Sequence, residues 1–178
     1  MTAPKTKVAF FNNGPRLDEV YALGRKKIIH EKFELFPFVI NENNFELHQA
    51  DLSDIEIIFT TWGMPKLSEE QVKKMPKLKA IFHAAGSVKA FAQPFLNCGV
   101  RVVSAADANS EPVAEFCMAQ ILLAAKGYFN NALDCKKIRN NDHFGGAHKG
   151  AGVYGEKVAF ISVGKITKQT MELLRPFN

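Results

Sequence analysis

The chain has 178 residues and is 47% hydrophobic and 23% charged, a composition that is ordinary for a soluble globular protein. Its length allows one domain, or one domain and a piece of another. No apolar run reaches transmembrane length, and the polar stretch Met1–Lys7 leads straight into a predicted strand, so neither a membrane span nor a signal peptide is predicted.

The formal net charge is +5. Basic residues cluster in three places, each on a predicted helix: Arg25–Lys27, Lys73–Lys74 and Lys136–Lys137. We interpret these clusters as solvated helix faces and predict no nucleic-acid partner. A modest positive field also suits an anionic small molecule.

Cysteine and histidine usage predicts neither a disulfide nor a metal site. Cys98, Cys117 and Cys135 are odd in number, are widely spaced and form no Cys-x-x-Cys pair, which predicts reduced thiols in a cytoplasmic protein. His143 and His148 share a predicted loop, but no cysteine or suitably spaced carboxylate near them completes a set of metal ligands.

Three strands are predicted in the first 60 residues, each from a short run rich in apolar residues: Lys7–Phe11, Phe33–Ile40 and Ile55–Thr60. Pro37 lies inside the second run and places that strand at a sheet edge, because proline cannot donate to a central ladder. Between the first two strands, Arg16–Glu31 carries apolar side chains at helical spacing and is predicted to be one helix.

Two further strands follow, at Leu78–Phe82 and Gly99–Val103, and each runs into small residues that permit tight turns. Before them, the capping box Ser68–Gln71 opens a short helix that ends at Met75. Strands and helices therefore alternate five times within about 105 residues. This pattern predicts an α/β fold, a flavodoxin-like doubly wound parallel sheet whose ligand loops lie at the carboxyl ends of the strands.

The segment Val113–Lys126 is apolar almost all round, with few polar interruptions such as Glu115. A helix of this kind is predicted to be covered on most sides, wedged between domains or between subunits. Ser110 or Glu111 is predicted to start it, with Pro112 in the first turn, where its missing N–H costs nothing.

The pattern changes after Lys126. Tyr128–Asn140 is predicted to be a second helix, and the Gly- and His-containing loop Asn141–Gly155 an arm or linker. A strand at Lys157–Ile161, a turn and a helix at Lys168–Arg175 then open a new unit. Because one strand and one helix cannot bury a core, this unit is predicted to be the start of a second domain.

Four segments occur in an informative order: the strand and small-residue turn Leu78–Val88, the strand Gly99–Val102 followed by Asn109, the helix start Val113–Glu115, and Gly155–Ile161 followed by Leu173–Phe177. In this order they resemble the D-isomer-specific 2-hydroxyacid dehydrogenases, the family that includes phosphoglycerate dehydrogenase and the glyoxylate/hydroxypyruvate reductases. The resemblance implies a flavodoxin-like substrate-binding domain at 1–108 and an interdomain helix with a dimerisation arm at 109–155. It further implies the start of a truncated NAD-binding Rossmann domain at 156–178.

The resemblance also implies a site for a small 2-oxo or 2-hydroxy acid. In this family, backbone amides of the small-residue turn hold the substrate carboxylate, and the corresponding residues here are Ala85, Gly86 and Ser87. The loop at Trp62 borders the substrate cleft by family position. A turn without bulky side chains does expose N–H groups that can bind an anion. From the residues alone, a tight strand-to-helix turn without a ligand is an equal alternative.

NAD or NADP is the cofactor that the resemblance implies, with Ala85 also near the nicotinamide. The dinucleotide loop of the family falls on Ser162, Gly164, Lys165, Ile166 and Thr167. Of the three glycines in the fingerprint only Gly164 is present, the one that lets backbone approach the pyrophosphate. Ser162 and Thr167 add side-chain bulk at the other two positions and are predicted to weaken dinucleotide binding.

No catalytic residue is assigned in this chain. The acidic residue that holds the ribose is expected about 20 residues past the glycine loop, beyond Asn178. The family's catalytic Arg, Glu and His lie further on, so the 178-residue chain alone is predicted to be inactive. His83 either packs in its loop or contacts substrate, and Glu115 is either a hydrogen-bonding carboxylate at the helix start or a catalytic base.

Two functions remain open from the sequence. The first is the N-terminal portion of an NAD(P)-dependent oxidoreductase acting on the CH–OH group of a D-2-hydroxy acid, which forms a homodimer through Val113–Asn140. The second is a non-catalytic flavodoxin-like module that binds a carboxylate or dimerises through the same helices. A receiver-type regulator would need an acidic cluster after the first strand, where Asn12 and Asn13 stand instead.

Overall fold

The first part of the chain is built on a five-stranded parallel sheet. The computed structural model describes residues 4–137, 150 and 152–177. They cluster into two units, Met1–Ala106 and Asp107–Asn178. The strands of the first unit are β1 (Lys7–Phe11), β2 (Glu34–Leu35), β3 (Ile57–Thr60), β4 (Ala80–His83) and β5 (Arg101–Ser104). Their order across the sheet is β2-β1-β3-β4-β5 and all neighbours are parallel, which confirms the predicted flavodoxin-like sheet.

Short helices connect these strands: α1 (Arg16–Val20), α2 (Arg25–Lys32), α3 (Phe45–His48), a 3-10 turn (Asp51–Asp54), α4 (Glu69–Lys73) and α5 (Ala92–Asn97). The predicted capping box of α4 is confirmed. Ser68 Oγ accepts the Gln71 amide at 3.2 Å, and Gln71 Oε1 accepts the Ser68 amide at 3.0 Å. Two otherwise unpaired donors of the first turn are satisfied in this way.

The single helix predicted over Arg16–Glu31 is wrong, because the chain breaks it into α1 and α2. Leu23 and Gly24 lie between them with φ of +55° and +81°. Two consecutive residues in the left-handed region cannot continue a right-handed helix. The break lets Leu17 of α1 and Ile29 of α2 both pack into one cluster with the sheet.

The second strand is shorter than the predicted Phe33–Ile40, although its edge position is confirmed. Only Glu34 and Leu35 pair with β1, and the chain touches the sheet again at a single bridge between Ile40 and Phe11. Pro37 lies between these two contacts and has no N–H to donate, which interrupts the ladder.

The two faces of the sheet are covered unequally. One face packs with α3, α4 and α5 into the main core, which includes Phe11, Phe45, Ile58, Val72, Ile81 and Phe95. The other face holds a smaller cluster with α1 and α2, which includes Val8, Phe10, Leu17, Tyr21 and Ile29. β4 and β5 are more open on this second face, where Phe82 is 40% and Val103 is 46% exposed.

In the second unit, the long helix starts earlier than predicted. α6 spans Ala106–Ala125, so Pro112 lies inside the helix and not in its first turn, and neither Ser110 nor Glu111 begins it. A hydroxyl before the helix substitutes for a cap, since Ser104 Oγ accepts the Ala106 amide at 3.1 Å. Residues 106–109, which were predicted to precede the helix, therefore belong to it.

The apolar surface of α6 is largely uncovered within the described part of the chain. Only Ser110 and Ala114 are buried in this helix, whereas Val113 is exposed and Phe116 is 63% exposed. α7 (Tyr128–Lys137) has no buried residue. The predicted covering on most sides is therefore not provided by the described residues of this chain itself.

The strand predicted at Lys157–Ile161 is wrong. These residues form no strand, and Ile161 is 99% exposed. A strand needs a hydrogen-bonded neighbour, and the described residues of the second unit contain no other extended segment that pairs with it. The helix that follows is present as α8 (Lys165–Leu174), and it begins three residues earlier than predicted.

Part of the sequence prediction falls on residues outside those described, namely 138–140 of the second helix, the loop residues His143 and His148, and the chain end. No helix among the described residues combines the length and the apolar character needed to cross a bilayer.

Candidate functional site

Four strands of the sheet end at the same edge, because they are parallel. Their exits are Asn12 after β1, Thr61 after β3, Ala84 after β4 and Ser104 at the end of β5. Carboxyl ends of strands in such sheets are the usual place for ligand loops. Here three polar side chains each donate a hydrogen bond to a carbonyl of a neighbouring loop, as described below.

Asn12 joins the loop after β1 to the loop after β3. Its buried side chain donates from Nδ2 to the Trp62 carbonyl at 3.2 Å and accepts the Gly14 amide on Oδ1 at 2.8 Å. The Asn13 amide adds a bond to the Gly63 carbonyl at 2.7 Å. These three hydrogen bonds fix the backbone that carries the Trp62 side chain.

Trp62 presents an aromatic surface beside a positive charge. Its side chain is nearly half exposed, and the guanidinium carbon of Arg16 lies 5.8 Å from the centroid of its ring. This is a cation–π distance. The sequence placed Trp62 at this edge, whereas the contribution of Arg16 was not predicted, since the two residues are far apart in the chain.

In the loop after β4, the amides of Gly86 and Ser87 are free within the described part of the chain. The Ala85 amide donates to the His83 carbonyl at 2.8 Å, so it is not available to a ligand, and Ala85 is buried. The Gly86 and Ser87 amides have no hydrogen-bond partner among the described residues. Of the three amides predicted to hold a carboxylate, the geometry thus offers those of Gly86 and Ser87.

Hydroxyl groups from both neighbouring strands hold the carbonyls of this loop. Thr61 Oγ1 donates to the Ala84 carbonyl at 3.1 Å from the β3 side, and Ser104 Oγ donates to the Gly86 carbonyl at 2.8 Å from the β5 side. With the Ala84 and Gly86 carbonyls bound internally, the loop presents mainly hydrogen-bond donors at the surface. Such an arrangement favours an anion.

His83 is buried below this loop. Its ring centroid lies 5.1 Å from that of Phe91, and its Nδ1 has no hydrogen-bond partner among the residues that the structure describes. Burial lowers the pKa of the imidazole below 6.5, which favours the neutral form. Of the two alternatives for His83, the structure favours packing within the loop.

Asn12, Thr61 and Ser104 were not singled out from the sequence. The available signal was positional, because each is a polar residue that ends a strand or directly follows one. Their partners are 50, 23 and 18 residues away in sequence, so the bonds themselves could not be inferred from local patterns.

In the second unit, the predicted dinucleotide loop surrounds the start of α8. Ser162 has φ of +73°, the left-handed conformation that glycine supplies in the fingerprint. Gly164 is the residue before α8, and a β-carbon there would meet no atom within 4 Å. Ile166 and Thr167 follow in the first turn, while the Lys165 ammonium pairs with the Asp107 carboxylate.

No group of three or more His, Cys, Asp or Glu side chains in the described part of the chain is arranged to hold a metal ion. The three cysteines are free thiols, with Cys135 exposed. Glu115 lies on an exposed position of α6.

Solved structures of similar fold include dehydrogenases and reductases. A phosphoglycerate oxidoreductase from Rhizobium etli superposes with a TM-score of 0.72 at 20% identity, over 97% of this chain and 53% of that chain. A 2-hydroxyacid dehydrogenase from Ketogulonicigenium vulgare gives 0.66 at 15% identity, over 98% and 52%. An NADPH-dependent glyoxylate/hydroxypyruvate reductase from Sinorhizobium meliloti, solved with citrate, gives 0.66 at 17% identity, over 97% and 51%.

The chain spans about half the length of these structures and shares the α/β fold of the 2-hydroxyacid dehydrogenases. The resemblance stated from the sequence is therefore confirmed at the level of the fold. In sequence, the chain matches no protein family and no curated protein with which it was compared.

Proposed function

We propose that this chain is the substrate-binding portion of an NAD(P)-dependent 2-hydroxyacid dehydrogenase and that it binds the carboxylate of a small 2-oxo or 2-hydroxy acid. The observation that carries the proposal is that the amides of Gly86 and Ser87, at the carboxyl edge of the sheet, are bonded by none of the described residues. The cationic Arg16 and the aromatic face of Trp62 lie at the same edge and suit a small organic anion.

Within this site, each predicted residue has a distinct role. Gly86 and Ser87 donate to the carboxylate, Trp62 forms one wall, and Ala85 supplies a small buried surface that brings the backbone close to the ligand and to the nicotinamide. The two amides are neutral hydrogen-bond donors. This site therefore binds and orients the anion and does not itself transfer a proton.

The cofactor in this proposal is NAD or NADP. Ser162, Gly164, Lys165, Ile166 and Thr167 would hold its pyrophosphate. The backbone is suited to this role, because Ser162 already has the turn conformation and Gly164 opens the helix that carries unpaired first-turn amides. When bound, the dinucleotide supplies the hydride that is exchanged with the C2 carbon of the acid. The solved Sinorhizobium meliloti reductase is NADPH-dependent, which supports a nicotinamide cofactor of this class.

The chain is further proposed to pair with a second copy through Val113–Asn140. Supporting this proposal, the described residues of α6 and α7 carry exposed apolar side chains, including Val113, Phe116, Tyr128, Phe129 and Leu133. Exposed apolar patches of this kind mark interaction surfaces. The free thiols are consistent with a cytoplasmic location in this proposal.

Amide shifts in the ¹H–¹⁵N spectrum of the chain test carboxylate binding. Adding pyruvate or glyoxylate is expected to shift the Gly86 and Ser87 amides in a saturable way, whereas methyl pyruvate, which lacks the charge, is expected to leave them in place. A saturable shift elsewhere but not at Gly86 and Ser87 would overturn the assignment of the site.

Calorimetry with NADH tests the cofactor part separately. Saturable binding of NADH would support the dehydrogenase. Binding of a carboxylate without binding of NADH would favour the second candidate function, a carboxylate-binding or dimerisation module. The 178-residue chain alone is expected to show no turnover of NADH with glyoxylate or pyruvate.

A further inference from the structure

Ser104, the last residue of β5, lies partly buried against the turn that follows β4. Its hydroxyl donates to the Gly86 carbonyl at 2.8 Å, with the Ala85 carbonyl 3.5 Å away, and accepts the Ala106 amide at 3.1 Å. One hydroxyl therefore connects the candidate anion loop to the first residue of α6.

The bond to the Gly86 carbonyl fixes the direction of the next amide. In a planar trans peptide, the N–H of the following residue points opposite to the carbonyl, and the described chain contains no cis peptide. A Gly86 carbonyl that faces Ser104 therefore turns the Ser87 N–H away from Ser104. By the same geometry, the Ala85 carbonyl near this hydroxyl turns the Gly86 N–H outward.

The peptide that contains the Gly86 carbonyl also benefits from an external restraint. Gly86 has no β-carbon, so its backbone can adopt many conformations at little cost. Ala84, two residues earlier, is held in a different way: its amide donates a hydrogen bond to the Thr60 carbonyl, and its carbonyl accepts one from Thr61 Oγ1. The Gly86 carbonyl accepts only from Ser104 among the described residues.

We propose that Ser104 is a positioning residue for the substrate carboxylate, holding the Gly86 and Ser87 amides in the orientation that binds a small 2-oxo acid. This inference rests on the proposed function, because it takes those two amides as the carboxylate site. Ser104 does not touch the ligand. Because Ser104 already holds the loop in its binding conformation, the loop loses less conformational entropy when the anion binds, which is a form of preorganisation.

Three substitutions test the role of the hydroxyl. Ser104→Ala removes the donor, Ser104→Cys keeps the size with a much weaker donor, and Ser104→Thr keeps the hydroxyl. The dissociation constant for pyruvate and for glyoxylate is measured from the Gly86 and Ser87 amide shifts. The Ala and Cys variants are expected to bind roughly threefold to tenfold more weakly, the range of one net hydrogen bond. The Thr variant is expected to bind about as well as the unmodified chain.

Ser110→Ala is the matched control. The Ser110 hydroxyl donates to the Asp107 carbonyl at 2.7 Å from a buried position outside the loop. Its removal takes away the same kind of bond and is expected to leave the affinity for pyruvate unchanged. Thermal unfolding of all variants is recorded alongside the affinities. If Ser104 had a purely structural role, its substitution would lower stability, and the Thr variant would not restore the affinity for the acid.

The outcomes separate this inference from the proposed function. If the unmodified chain binds neither acid, the proposed function fails and the role of Ser104 falls with it. If the unmodified chain binds and the Ala and Cys variants bind equally well, only the role of Ser104 is overturned. Loss of affinity in the Thr variant as well would also overturn it. Should the Ala variant fail to fold, the contrast between Cys and Thr decides the question.

Discussion

Asn12 and Gly63 lie against each other across two loops, and Gly63 cannot be enlarged without moving the Asn12 side chain. A β-carbon at Gly63 would lie 2.5 Å from Asn12 Oδ1, a distance that real side chains do not occupy. The same Oδ1 is already bound to the Gly14 amide at 2.8 Å. This contact fixes the two loops that carry the edge of the candidate site.

Gly63→Ala is therefore expected to destabilise the chain by about 2–4 kcal/mol, from backbone strain at φ of +101° together with the clash. Gly99→Ala is the matched control, because Gly99 also has a positive φ, of +78°, but open space around its β-carbon position. That variant is expected to cost only about 1 kcal/mol. Urea unfolding measures both, and equal losses would show that the contact with Asn12 contributes nothing.

His83 is expected to make the stability of the fold depend on pH. Burial lowers its pKa in the folded state below the 6.5 of the exposed group. Between the two pKa values the unfolded chain binds more protons, so the free energy of unfolding decreases as pH falls below about 6.5. His83→Leu is expected to remove this part of the pH dependence.

Urea unfolding at pH 5.5 and at pH 7.5 tests this prediction through the difference between variant and unmodified chain. The variant is expected to gain stability relative to the unmodified chain at the lower pH. The exposed His30 provides the control substitution, His30→Gln, for which no such relative gain is expected. An identical pH dependence in His83→Leu and the unmodified chain would contradict the prediction.

Tyr21 is expected to make the stability of the fold depend on pH in the alkaline range. Burial raises its pKa to about 12, while its hydroxyl donates to the Thr60 carbonyl at 3.1 Å. The raised pKa means that folding favours the protonated phenol. The stability it contributes is complete below pH 10 and is lost as pH rises towards 12.

Tyr21→Phe is expected to cost about 1 kcal/mol at neutral pH, from the lost hydrogen bond, and to be less sensitive than the unmodified chain between pH 10 and pH 12. Circular dichroism during an alkaline titration measures the difference. Tyr154→Phe, at a side chain that is 80% exposed, is the control and is expected to change neither quantity. Equal alkaline midpoints for all three chains would refute the prediction.

Phe116 tests the proposed pairing of two copies through α6. Phe116→Asp places a charge on an exposed apolar side chain of this helix and is expected to weaken self-association roughly tenfold or more. Leu96→Asp makes the same kind of change at an exposed leucine of α5, outside the proposed interface, and is expected to have no such effect. Sedimentation velocity over a range of concentrations distinguishes the cases. If the unmodified chain stays monomeric at all concentrations, the proposed pairing of two copies is wrong.

Much of the fold could be predicted because it is encoded over short stretches of sequence. The apolar runs located the strands, Pro37 placed β2 at the edge, and the Ser68 box located α4. The predictions that failed followed local apolar patterns that the folded chain did not keep. The single helix over Arg16–Glu31 broke at Leu23, and the apolar run at Lys157–Ile161 stayed irregular without a neighbouring strand.

The sequence by itself determined the parallel α/β sheet and the position of the small-residue turn at Gly86, since periodicity and turn chemistry act within a few residues. Only the tertiary structure decided which amides of that turn are free, because the Ala85 amide is taken by His83 while Thr61 and Ser104 hold the carbonyls from neighbouring strands. The bonds from Thr61 and Ser104 join residues that become neighbours only when parallel strands are aligned in the sheet. The donor character of the candidate site is therefore a product of strand order and register.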